Sequence, residues 1–236
     1  MDYNTFLKQV INGDWESTQK GFIVYTPEKT IEYFEDISNE KDIFLADFKY
    51  VEDLFFETCS NVIEKFSHSE NNKDVFVLAL YVDTEGGYFG ISINTEQAYR
   101  KIVDKWYSDE SEEELNSLYG IRYHDSSFPF TFFNELTTPQ LEEISNAYYC
   151  INTEHPILNV ERKVAFHKSF FEEQLVLIGI NVMNRLKNTF SLLDTTEDFF
   201  AYVTLHDVGA EVYELLIKKT VPYSLFNKLF PENKRN

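Results

Sequence analysis

Cysteine is scarce in this chain: Cys59 and Cys150 are the two thiols among 236 residues. Two thiols cannot staple a disulfide scaffold, and neither a Cys-x-x-Cys pair nor a His-Glu-x-x-His stretch offers a zinc site. Basic charge is scarce as well. There are 21 Lys and Arg against 40 Asp and Glu, so 21 − 40 = −19 with histidine neutral. Phosphate backbones and anionic lipid surfaces are held by Lys and Arg, so this balance argues against nucleic acid or a membrane surface as the main partner. Long apolar runs are missing. Val75 to Val82 is the longest, and it falls far short of the ~20 residues that cross a bilayer. The opening Met-Asp-Tyr-Asn-Thr-Phe-Leu-Lys has neither the basic stretch nor the apolar stretch of a signal peptide. With so few cysteines, the expectation is a cytoplasmic protein with reduced thiols.

Familiar site motifs are also missing. No Walker A loop, nucleophile elbow or kinase set occurs. Gly86-Gly87-x-x-Gly90 has the outline of a phosphate loop, yet it joins two strand-like runs instead of a strand and a helix. The acidic run Asp109-Glu110-Ser111-Glu112-Glu113-Glu114 lacks the alternation and glycine of a calcium loop. No cofactor and no metal is expected from these patterns.

Aromatic residues are plentiful: 22 Phe, 15 Tyr and 2 Trp. Rings bury large areas, so the core should be aromatic. At 43% apolar and 26% charged residues, the composition is that of a folded domain.

Apolar spacing outlines the elements. Tyr3–Ile11 reads as a short helix ending near Gly13, and Gly21–Tyr25 as a strand stopped by Thr26-Pro27. Residues 28–42 are acidic and polar, with a helix expected after Pro27. Phe44, Phe48, Val51, Phe55, Cys59, Val62 and Phe66 recur at three and four residues, one face of an α-helix. Val75–Val82 reads as a central strand buried on both faces, and Tyr88–Ile93 as its hairpin partner across a Gly-Gly turn. Asn94 or Thr95 then caps a helix whose apolar stripe is Ala98, Ile102 and Trp106, with Glu96 or Gln97 closing a capping box. Leu118–Tyr123 reads as a strand, and Phe128–Phe133 as irregular. Thr138-Pro139 opens a helix to about Tyr149. Residues 159–187 read as a long helix, interrupted at Gly179, where Leu175–Ile180 has strand as its alternative. Phe199–Leu205 reads as a strand and Ala210–Lys219 as a helix halted before Pro222. The fold class expected is α+β. A central antiparallel or mixed sheet would contain a hairpin at about 74–94 and be flanked by several helices. One domain is expected over 1–236, with 1–43 as an N-terminal appendage.

Candidate chemistry is sparse. Cys59 lies on the apolar face of its helix and reads as a core residue, and Cys150 likewise. Glu64 and His68 are spaced to share the end of a helix, where a cation complements the dipole. His124-Asp125-Ser126-Ser127 is the nearest approach to a nucleophilic cluster. His206-Asp207 follows a strand, where site residues often sit. Adjacent residues seldom form a triad, since that geometry is assembled from separate segments, so each pair is ordinarily a turn feature. If the protein is an enzyme, His124, Asp125, His206 and Asp207 are the residues to test.

Phe76-Val-Leu-Ala-Leu-Tyr-Val-Asp83, then Gly87-Tyr88 and a strand ending in Asn94-Thr95-Glu96, resembles the bacterial domain-of-unknown-function family numbered 4303. Arg122-Tyr123 followed by Phe128-Pro129 is similar to a later family segment, although that segment carries Trp where this chain has Tyr123 and Phe128. The strand ending in Leu205-His206-Asp207 is similar to the family's C-terminal strand. The resemblance spans residues 44–222. It implies a compact bacterial α+β protein and no catalytic residues.

Two functions are expected in competition. One is a non-enzymatic acidic binding module of toxin-immunity type, docking a basic partner protein through Asp109, Glu110, Glu112, Glu113 and Glu114. The alternative is a hydrolase or transferase with a site near His124, Asp125, His206 and Asp207. Charge is uneven along the chain. Residues 28–57 hold ten carboxylates against three lysines, and residues 216–236 hold five basic groups against one acidic. The acidic segments are therefore a candidate face.

Overall fold

The computed structural model describes residues 3–13, 21–25, 31–35, 48–84, 87–133, 136 and 168–233. In chain order come α1 (Tyr3–Asn12), β1 (Gly21–Tyr25), β2 (Ile31–Glu35), α2 (Phe48–Ser67), β3 (Val75–Asp83), β4 (Tyr88–Thr95) and α3 (Glu96–Trp106). After them come one-turn α4 (Glu112–Leu115), β5 (Phe130–Thr131), α5 (Lys168–Leu186), β6 (Thr195–Leu205), α6 (Ala210–Thr220) and α7 (Tyr223–Leu229). The fold is α+β. A four-stranded mixed sheet runs in the order β5-β4-β3-β6, and β1-β2 is a separate antiparallel pair. β3 pairs antiparallel with β4 as the expected hairpin, and parallel with β6 on its other edge.

β3 is apolar at successive positions because helices cover both faces of the sheet. Val75, Leu78, Leu80 and Val82 join one cluster with Phe89, Ile91 and Ile93 of β4 and with α1, α2 and α5. Phe76, Val77 and Ala79 join a second cluster with Phe200, Tyr202, Tyr213, Phe226 and Phe230. The register slips between Val75 and Val77, and at that slip two neighbours, Phe76 and Val77, fall on the same side. α6 packs along β6 and serves both clusters. Val212 and Leu216 enter the first, and Tyr213 and Ile217 the second.

The expected face of α2 is buried at Val51, Phe55, Cys59, Val62 and Phe66. α5 continues through Gly179, so the strand alternative for 175–180 does not hold. A Cβ at Gly179 would stand 2.7 Å from Val82 Cγ2, and glycine here lets the helix approach β3 closely. Thr95 caps α3, its Oγ1 accepting from the Ala98 N–H at 3.3 Å. Glu96 turns to Arg122 in an ion pair instead of closing the box.

Four expectations are corrected. Residues 31–35 form a strand, not a helix, pairing antiparallel in register with 21–25. Residues 118–123 form successive turns, not a strand. α3 buries Tyr99 and leaves Trp106 69% exposed, so its apolar stripe is rotated from the one expected. α1 is no appendage: Leu7, Val10 and Ile11 are buried in the main core. Past Pro222 the chain also forms α7. It inserts Phe226 and is followed by buried Phe230. The helix expected at 138–149 and Cys150 lie outside the described residues. Among the described residues no helix is long and apolar enough to cross a membrane.

Candidate functional site

β3 and β6 run parallel and finish together. Val82 stands opposite Leu205, and the His206 N–H donates to the Val82 carbonyl at 3.2 Å. The chain then turns through His206, Asp207, Val208 and Gly209 into α6. Asp207 makes the turn with φ at 47°, in the left-handed region that aspartate enters more readily than most residues. This turn forms part of the wall of a cleft of about 570 Å³, which is also lined by Tyr81, Tyr119, His124, Asp125, Ser126 and Tyr213. Ligands in open sheets commonly sit beyond the carboxyl ends of parallel strands, and this cleft has that position.

The distant 124–126 segment is brought here by the aromatic core. Tyr202 of β6 donates its hydroxyl to the Tyr123 carbonyl at 2.6 Å, and Tyr213 of α6 donates to the same carbonyl at 3.0 Å. Burial pushes both phenols above their ordinary range, so both remain donors. Ser127 Oγ lies 2.7 Å from the carbonyls of both Ile121 and His124 and closes the 3₁₀ turn over Asp125–Ser127.

On the β6 side, Tyr81 Oη and His206 Nδ1 are 2.7 Å apart, with the rings near perpendicular at 74°. His206 Nε2 lies 3.3 Å from Asp207 Oδ2. With the phenol donating to Nδ1, the Nε2–H faces the carboxylate, and the three groups make a phenol–imidazole–carboxylate chain. On the opposite segment, His124 Nδ1 lies 2.7 Å from Ser126 Oγ, and the imidazole stacks on Tyr213 with centroids 6.4 Å apart. Asp125 is half-buried. Loss of water raises its carboxyl above the ordinary aspartate value, against the opposing pull of His124 and of the Asp125 and Ser126 amides.

His124, Asp125, His206 and Asp207, selected as two separate pairs, therefore share one cleft. Sequence reasoning missed Tyr81, Tyr119 and Tyr213. Tyr81 carried a signal, being the single hydroxyl in the apolar run 75–82; Tyr119 and Tyr213 carried none.

Asp109, Glu110, Glu112, Glu113 and Glu114 are all exposed. Two of them serve local structure. Glu114 completes a capping box with Ser111, and Glu112 accepts from Asn116 Nδ2 at 2.8 Å. Much of the acidic stretch 28–57 lies outside the described residues. Within α2, Glu52 and Asp53 are neutralised by Lys49 and Arg185. Cys59 is fully buried, and burial pushes its thiol well above the ordinary value, so it is chemically inert. Glu64 and His68 are exposed. Another cleft, of about 520 Å³, lies at the opposite end of β3, with Lys73 and Arg100 beside Glu70, Asp74 and Glu96. Its charges offset one another, and no aromatic ring lines it. Among the described residues no cluster of three or more His, Cys, Asp or Glu side chains is arranged to hold a metal.

Comparison with family models, curated proteins and solved structures finds no match for the chain, so the chemistry of the cleft rests on its own residues.

Proposed function

We propose that the cleft at the carboxyl ends of β3 and β6 is the working site of a small-molecule hydrolase or transferase of the acid–base kind. One observation carries this reading: two His–Asp pairs from distant segments meet in a single cleft, one of them linked to a tyrosine hydroxyl at 2.7 Å. In this scheme His206 takes up a proton at Nδ1, passed through the Tyr81 hydroxyl from the attacking group. Asp207 orients the imidazole and stabilises its cation. In the same scheme His124 returns a proton to the leaving atom.

The test is turnover of ester, amide, glycoside and phosphoester substrates. Wild type is expected to turn over one class, and His206→Ala to lose about a hundredfold or more in kcat. Full activity in His206→Ala would remove the scheme. So would the absence of turnover in every class.

The non-enzymatic reading, a module of toxin-immunity type, is favoured by one different observation. Trp106, 69% exposed, ends α3 just before the exposed carboxylates Asp109, Glu110 and Glu113. An aromatic anchor with an acidic rim suits a basic protein partner. Neutralising those three carboxylates should slow association and flatten its salt dependence, and a partner indifferent to both changes removes this reading.

A further inference from the structure

We propose that the cleft recognises an organic cation, an ammonium or guanidinium group, with Asp125 as its counter-charge and the rings of Tyr81, Tyr119 and Tyr213 around it. This deepens, and rests on, the reading of the cleft as a small-molecule site. The lining includes three tyrosine rings and two aspartates, and among the described lining residues there is neither Lys nor Arg. Aromatic faces attract cations through their quadrupole, and a carboxylate supplies the net charge.

Asp125 contrasts with three sheltered carboxylates that are paired with cations. Glu52 is paired with Lys49 and Arg185, Glu96 with Arg122, and Glu214 with Lys218. Asp125 has backbone amides and the neighbouring His124 around its carboxyl, and among the described residues no Lys or Arg is paired with it. A desolvated carboxylate without a cation is costly, and a cationic ligand filling the cleft offsets that cost. The raised proton affinity of Asp125 has the same origin. An anionic ligand would meet Asp125 and Asp207, both in the lining. The electrostatics therefore select for positive charge.

The full chain is titrated with tetramethylammonium chloride and with methylguanidinium chloride in about 0.15 M salt, which screens the general acidity of the surface. The neutral 2-methylpropan-2-ol and sodium acetate serve as controls, with binding followed by the tyrosine and histidine ring signals in NMR. The cations are expected to saturate, and both controls to bind about tenfold more weakly or worse. Asp125→Asn should weaken cation binding about tenfold. Tyr119→Ala, at a half-exposed ring whose removal leaves the core intact, should weaken it several-fold. Equal binding of either control, or cation binding unchanged in Asp125→Asn, overturns the proposal. Cation binding without turnover in any substrate class leaves this inference standing and removes the catalytic one.

Discussion

On one face of the central sheet, three of the 30 buried apolar residues are aromatic: Phe55, Phe66 and Phe89. On the other face nine of 14 are, counted among the described residues. The aliphatic face packs by interdigitation, so α5 approaches β3 to the point where only a glycine fits beside Val82. The aromatic face packs ring against ring. Phe200 meets Tyr123, Tyr202 and Phe230 with centroids 5.1, 5.6 and 6.2 Å apart. Tyrosine adds something aliphatic residues cannot, since it buries a ring and still delivers a hydroxyl. Tyr202 and Tyr213 use theirs to hold the Tyr123 carbonyl, and that places His124 and Asp125 opposite His206. The cleft grows from the aromatic face, where two buried hydroxyls fix a loop.

The largest effects test the packing half of this contrast. Phe200→Ala should cost about 3–5 kcal/mol and Leu80→Ala about 2–5 kcal/mol, both read by urea unfolding. If ring geometry matters, Phe200→Leu still falls about 1 kcal/mol short of wild type; full recovery would show that only volume counts on that face.

Next comes the polar seam of the aliphatic side. Glu52 accepts from Lys49, Asn181 and Arg185 at 2.8–2.9 Å and ties α2 to α5. Glu52→Gln should cost about 1.5–3 kcal/mol at neutral pH. Burial opposes ionisation of this carboxyl, but the three hydrogen bonds prevail and hold it below the ordinary glutamate range. A depressed folded value means a contribution that is present above the unfolded value near ~4.3 and lost as pH falls through the folded one. The penalty of Glu52→Gln should therefore shrink on acidification, and a penalty independent of pH would show that charge is irrelevant there.

A smaller effect is expected at the hydroxyl that seats the cleft. Tyr202→Phe should cost about 1 kcal/mol, because Tyr213 still donates to the Tyr123 carbonyl. It should also disturb the His124 ring signal in NMR. Loss of stability with an unmoved His124 would uncouple the aromatic core from the site.

The smallest effect has the opposite sign. Burial raises the folded value of Asp125, so its charge weakens the fold at neutral pH. That cost is complete above the raised value and is relieved as pH falls from it toward the ordinary ~3.9. Asp125→Asn should unfold at slightly higher urea than wild type at pH 7, with the gap closing in acid. A destabilised Asp125→Asn would mean that the carboxylate already has a structural partner. Stabilisation, together with the loss of cation binding expected above, would mark a residue retained for its ligand and not for the fold.

Several features were legible from local pattern. The face of α2, the β3–β4 hairpin and the Thr95 cap depend on residues a few positions apart, and local spacing reports them directly. β2 was misread because five residues hold too little pattern to separate strand from helix. The rotated stripe of α3 was misread because Trp106 is apolar in type but lies beyond the reach of the core. The candidate residues themselves were legible as types, His beside Asp, and each pair alone looked like a turn.

The sequence by itself determined the α+β class and the acidic balance of charge, because composition and short-range spacing carry those directly; that the aromatic rings gather on one face of the sheet was not in it. Only the tertiary structure decided that the two His–Asp pairs belong together. Their meeting depends on β6 returning parallel to β3 and on two buried phenols reaching the Tyr123 carbonyl. Contacts between segments so far apart in the chain are set by how the layers close, and no local pattern encodes that.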